Sequence, residues 1–147
     1  MSEPRAVSLI TLGVRDLDVS QRFYEALGFA NTAASQEQVR FLRAANTVIG
    51  LYGRAALAED AHVKDAPTGF SAVTLALNFA EDQAVDAMYG RALAAGASGL
   101  KRPQKVFWGG YSGYFADPDN HLWEVAHNPF AGLDASGRLD LTGGEAR

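Results

Sequence analysis

Apolar residues alternate with Thr11 and Gly13 from Ile10 to Val14, and Val7 to Val14 reads as a β-strand. The period then lengthens. Asp16-Leu-Asp offers helix N-caps, Val19, Phe23 and Leu27 recur at helical spacing, and Gly28 ends the run. Gln38–Leu42 and Thr47–Tyr52 return to strand-like patterning. The second half of the chain repeats this order. Ala72 to Asn78 reads as a strand, and Glu81 to Ala95 reads as a helix with Val85, Met88 and Ala92 on one face, stopped by Gly96. Trp108–Phe115 and Leu122–Ala126 form the arms of a hairpin. Its turn is Asp117-Pro118-Asp119-Asn120, where proline presets φ and Asp and Asn suit the remaining positions.

Such self-similarity predicts two equivalent units. One helix per unit covers one face of its sheet and leaves the other bare. Set side by side, the units would make a curved mixed sheet with helices on the convex face and a concave pocket for a small molecule. The expected class is therefore α+β, as two tandem βαβββ modules in a single domain over 1–147. Module 1 runs over about 6–53, a linker with Pro67 and Gly69 over 54–69, module 2 over about 70–128 and a tail over 129–147. In that tail, Asp134-Ala-Ser-Gly137 makes a turn and little else is expected.

Composition narrows the function. A 48% hydrophobic content supports a real core, and a net charge of −4 without a basic stripe argues against nucleic acid as a partner. The absence of cysteine excludes disulfides, thiolate catalysis and cysteine metal sites. No apolar run approaches the length of a membrane span, and Met1-Ser-Glu-Pro-Arg5 does not open a signal peptide. The expectation is a soluble cytoplasmic protein.

The chemistry centres on Glu124. Between Trp123 and Val125 on a strand, it faces away from both. With Trp123 in the core, the carboxylate enters the trough, where it can act as general acid or base or hold a polar ligand atom. By the same alternation, Leu9, Thr11 and Gly13, Val48, Gly50 and Tyr52, and Ala72, Thr74 and Ala76 line the trough. Ser112, Tyr114 and Trp108 share one parity on the first hairpin arm, although Gly109, Gly110 and Gly113 can bulge it. This small, apolar lining suits a modest organic ligand that stacks on Tyr or Trp. Arg40 is expected to be solvated, Asp117 and Asp119 to be structural, and His127 to lie on the face opposite Glu124.

Three segments carry a family resemblance: Thr11-Leu-Gly-Val-Arg-Asp-Leu17, Arg22-Phe-Tyr-Glu-Ala-Leu-Gly-Phe29 and Phe115-Ala-Asp-Pro-Asp-Asn-His-Leu-Trp-Glu124. Over about residues 6 to 128 the chain resembles the vicinal oxygen chelate superfamily of glyoxalase I, bleomycin-resistance proteins, fosfomycin-resistance enzymes and extradiol dioxygenases. The fold hosts lyases, transferases, oxygenases and pure binders, so it does not choose a reaction. The resemblance implies metal-ligand positions at Leu9, at Gly50, near Ala72 or Thr74, and at Glu124, of which only Glu124 keeps an ionisable donor. It also implies that Tyr114 faces the pocket and that the protein pairs as a homodimer. No metal or other cofactor is expected, because one carboxylate does not hold a divalent ion.

Three functions follow as expectations. One is a metal-independent binder of a small apolar or aromatic molecule. A second is a lyase or isomerase that uses Glu124 as general base. The third is a metal-dependent glyoxalase- or dioxygenase-like enzyme, which Leu9 and Gly50 disfavour.

Overall fold

Each half of the chain lays a long helix on one face of a four-stranded sheet. The computed structural model describes residues 4–66 and 69–141. Residues 1–3, Pro67 of the expected linker and residues 142–147 of the expected tail lie outside the described residues. The chain divides into two compact units, Met1–Pro67 and Thr68–Arg147. The first holds β1 (Ile10–Val14), α1 (Leu17–Ala26), β2 (Ala30–Asn31), β3 (Val39–Arg43), β4 (Val48–Gly53) and α2 (Arg54–Asp60). The second holds β5 (Thr74–Asn78), α3 (Asp82–Ala94), β6 (Ser98–Lys105), β7 (Tyr111–Ala116) and β8 (Leu122–His127). A short pair follows, β9 (Gly132–Leu133) and β10 (Leu139–Asp140).

The sheet orders are β1-β4-β3-β2 and β5-β8-β7-β6. In both units the first strand runs parallel to the last, and the remaining pairs are antiparallel. The architecture is α+β, with βαβββ used twice. Among the described residues, no helix is long and apolar enough to cross a membrane.

Local chemistry sets the elements. Asp16 caps α1, its carboxylate accepting from the Asp18 and Val19 amides at 2.9 and 3.1 Å. Gly28 and Gly96 follow α1 and α3 with φ of 106° and 113°, a conformation that suits glycine after a helix. In the first unit, Phe23 and Tyr24 of α1 and Leu27 are buried with Leu12, Val14, Leu42, Ile49 and Leu51 of the sheet. In the second, Val85 and Ala92 of α3 are buried with Phe115, Trp123 and Val125. Phe115 and Trp123 are paired across β7 and β8, with parallel rings 6.5 Å apart. Full burial of side chains of this kind is worth about 1.5–3 kcal/mol each.

Several segments depart from the sequence reading. The stretch read as linker begins with α2, which packs on β1 and β4. A Cβ added at Gly13 would lie 3.3 Å from the Arg54 Cα and 3.4 Å from Leu57, so α2 covers the position expected to line the trough. Ala72 has a φ of 62° and precedes β5, which starts at Thr74. The tail does turn at Asp134, but β9 and β10 pair around that turn. Arg40 is neither solvated nor aimed at the open face. It reaches α1, where it donates to Asp18 at 3.0 Å and Gln21 at 2.7 Å.

A cluster of charged groups fixes the start of α3. Asp82 meets His127 Nδ1 of β8 at 2.8 Å and Lys105 Nζ of β6 at 3.0 Å. Tyr111 donates its hydroxyl to Asp86 at 2.6 Å, which holds its phenol above the ordinary value. Hydrogen bonds from His127 first, then Lys105, keep the Asp82 carboxyl below the ordinary carboxylate range. A lowered native pKa gives stability that is present above the unfolded carboxylate value, near ~3.9, and fades as pH falls through the native value. Asp82→Asn should therefore lower stability at neutral pH and flatten its decline below about pH 4. Urea melts at a series of pH values check this, and an unchanged acid limb would reject it.

Ser20 sits fully buried in α1, and its hydroxyl has no hydrogen-bond partner among the described residues. A desolvated hydroxyl without a partner is unfavourable, and alanine is the better helix former. Ser20→Ala should raise the unfolding free energy by about 1 kcal/mol in equilibrium denaturation. A loss of similar size would show that the hydroxyl stabilises the fold.

Candidate functional site

Strand alternation decides which side chains the helices leave uncovered. On the second sheet, Trp123 and Val125 turn to the core. Glu124 is therefore on the other face, half-buried. Its neighbours in register are Ala76 of β5 and Tyr114 of β7. Thr74 lies one pair away on the same face, opposite Leu122, and Ser112 one pair away in the other direction, opposite Ala126. Four of the expected residues, Glu124, Tyr114, Ser112 and Thr74, thus form one patch. Ser112 is 97% enclosed, at 3% exposure, whereas Thr74 is exposed.

The turn before β8 holds this patch in place. Asp117 is buried, and its carboxylate accepts from the Asp119 and His121 amides, both at 2.8 Å. Asn120 takes a φ of 67°, and the Asp117 amide donates to the His121 carbonyl at 2.9 Å. Asp117 is structural, as its place in the turn predicted. His127 is on the helix-facing side, also as read from sequence.

Trp108 is not on a strand. It lies in the turn that joins β6 and β7, closed by bonds from Gly109 N to Val106 O and from Val106 N to Gly110 O. Its ring folds over Gly110, where an added Cβ would overlap the indole.

On the first sheet, Thr11, Gly50 and Phe41 form one row across β1, β4 and β3, and Gly13, Tyr52 and Val39 form the next. Leu9 and Thr11 are exposed, and Tyr52 is half-buried. A Cβ added at Gly50 would lie 3.2 Å from Thr11 Oγ1 and 3.3 Å from Leu9 Cδ1. The space that a ligating side chain would enter from position 50 is taken by these two neighbours. Among the described residues, no group of three or more His, Cys, Asp or Glu could hold a metal ion.

Electrostatics couples two members of the patch. Burial first, then the charge of Glu124 and a hydrogen bond to it, push the Tyr114 phenol above its ordinary value. Tyr114 is therefore a neutral donor and Glu124 its acceptor. The carboxylate keeps further lone pairs for a second donor.

The chain matches the sequence model of the Glyoxalase/Bleomycin resistance protein/Dioxygenase superfamily over residues 6–125 and belongs to that superfamily. A glyoxalase-related enzyme from Fulvimarina pelagi is similar at 34% identity and a TM-score of 0.82, across 93% of this chain and 98% of its own. Hypothetical protein SA1046 from S. aureus shares the fold at 22% identity and a TM-score of 0.74, with 86% and 96% covered. Lactoylglutathione lyase from Agrobacterium tumefaciens does so at 20% identity and a TM-score of 0.65, with 87% and 97% covered. No curated protein matches this sequence significantly.

The pairing of Tyr114 with Glu124 predicts a spectroscopic effect. In alkaline titrations followed by tyrosinate absorbance, Glu124→Gln should move the Tyr114 transition to lower pH while leaving it above about 10, because burial persists. Tyr114→Phe identifies that transition. If it stays in place in Glu124→Gln, the two groups are not coupled.

Proposed function

We propose that this protein binds a small organic molecule on the face of its second sheet that the helix leaves open, and that it does so without a metal ion. The observation that carries this reading is the Glu124–Tyr114 pair, set in register on a face that also carries Ala76, Ala126, Ser112 and Thr74. The filled space at Gly50 and the aliphatic Leu9 support metal independence, since they remove two donors from the family's ligand positions. The ligand that suits this lining has an apolar or aromatic body and a hydrogen-bond donor directed at Glu124. Within the second unit, Tyr114 offers a ring face to it, and Thr74 and Ser112 offer hydroxyls. A cytoplasmic location and a homodimer complete this reading.

A second reading makes the protein an enzyme in which Glu124 takes a proton from the bound molecule. The neutral Tyr114 phenol in register beside Glu124 favours it, because a hydroxyl there can return a proton. The similarity to a glyoxalase-related enzyme points the same way.

A thermal-shift screen of small aromatic and apolar compounds should raise the melting temperature for the true ligand class. For a hit, Glu124→Gln should weaken binding about tenfold, the effect of losing roughly 1.4 kcal/mol from a hydrogen bond to a charged group. Undiminished affinity, or about one tightly held transition metal per chain in elemental analysis, sinks the proposal. Turnover of the hit that disappears in Glu124→Gln selects the enzyme over the binder.

A further inference from the structure

The helix-facing side of the second sheet carries a cleft of about 350 Å³ at the first turn of α3, lined by Glu81, Asp82, Lys105, Tyr111, His127 and Pro129 among others. It lies on the opposite side of β8 from Glu124, by strand parity. Asp82 Oδ1 faces His127 Nδ1 at 2.8 Å. In a neutral ring this contact places the hydrogen on Nδ1 and leaves Nε2 as an acceptor. Among the described residues, Nε2 makes no hydrogen bond.

The remaining lining is acceptor-rich too. Glu81 gives α3 no side-chain cap, so its carboxylate is available. Lys105 is engaged, with its ammonium 3.0 Å from Asp82 and 5.7 Å from the centroid of the Tyr111 ring. Among the side chains, two carboxylates face one ammonium there, at the positive end of the α3 dipole. Pro129 and Gly109 supply an apolar lip, where a Cβ added at Gly109 would lie 2.9 Å from the exposed Phe130 ring.

We infer that this cleft is a second binding site, for a small organic ammonium with an aromatic or apolar body. The ammonium donates to His127 Nε2 and Glu81, and the body rests against Pro129, Gly109 and Phe130. Asp82 is a positioning residue that fixes the imidazole tautomer. The groups around the imidazole are Asp82 and Glu81 from α3, Lys105 from β6 and the Tyr111 phenol from β7, itself bound to Asp86.

The test is a titration of the full chain with benzylamine, followed by the histidine ring resonances in NMR, with benzoate as the matched anion. Benzylamine should shift His127 saturably and leave His62 and His121 in place. Glu81 is exposed. Glu81→Gln should weaken binding about two- to fivefold at low salt while the fold persists. Glu124→Gln should not alter the titration, which separates this site from the open face. Loss of the His127 shift in Glu124→Gln would overturn the inference. So would preferential binding of benzoate, or no response of His127 to benzylamine.

Discussion

The register between β7 and β8 is the constraint on which the rest depends. A strand presents successive side chains to opposite faces, so a slip of one residue would exchange Trp123 and Val125 with Glu124. It would put a carboxylate under α3 and two large apolar groups in water. The buried Asp117 carboxylate prevents this by holding two amides of the turn at 2.8 Å. The stacked Phe115 and Trp123 rings enforce the same register from the core side. One tight turn and one aromatic pair thus place both the acid on the open face and His127 beside α3.

The two units share their topology but end differently. In the first, α2 follows β4 directly and covers Gly13, shortening the open part of the sheet. In the second, β8 runs on to His127 and the chain continues through Pro129 and Phe130, which border the helix-side cleft. The repeated core therefore carries different additions, and these bring polar groups to different places in each unit.

Much of this was legible in the sequence. The long helices could be read because Val19, Phe23 and Leu27, and Val85, Met88 and Ala92, keep a helical period up to a glycine. The site residues on β8 and β7 could be read because the Asp-Pro-Asp-Asn turn fixes where alternation starts. Strand β6 could not. Its sequence, Ser-Gly-Leu-Lys-Arg-Pro-Gln-Lys, contains a proline and no apolar alternation, and its register with β7 shifts twice. Helix α2 lacks a side-chain cap and buries no residue fully, so no periodic signal announces it. The facing of Arg40 depended on α1 partners 19 and 22 residues away, and the Asp82–His127 pair spans 45 residues. Contacts of that separation leave no local pattern. Trp108 lies in the turn before β7, where strand alternation does not reach.

The irregularity of β6 has its own consequence. It is the outer strand of its sheet, and it carries Lys101, Arg102 and Lys105 around Pro103. Proline lacks an amide hydrogen, and at Gly113 an added Cβ would come within 2.6 Å of the Lys101 carbonyl oxygen, so the two backbones are pressed together there. A charged, kinked border of this kind is a poor template for recruiting another extended chain. On that flank the molecule is guarded against open-ended fibre growth.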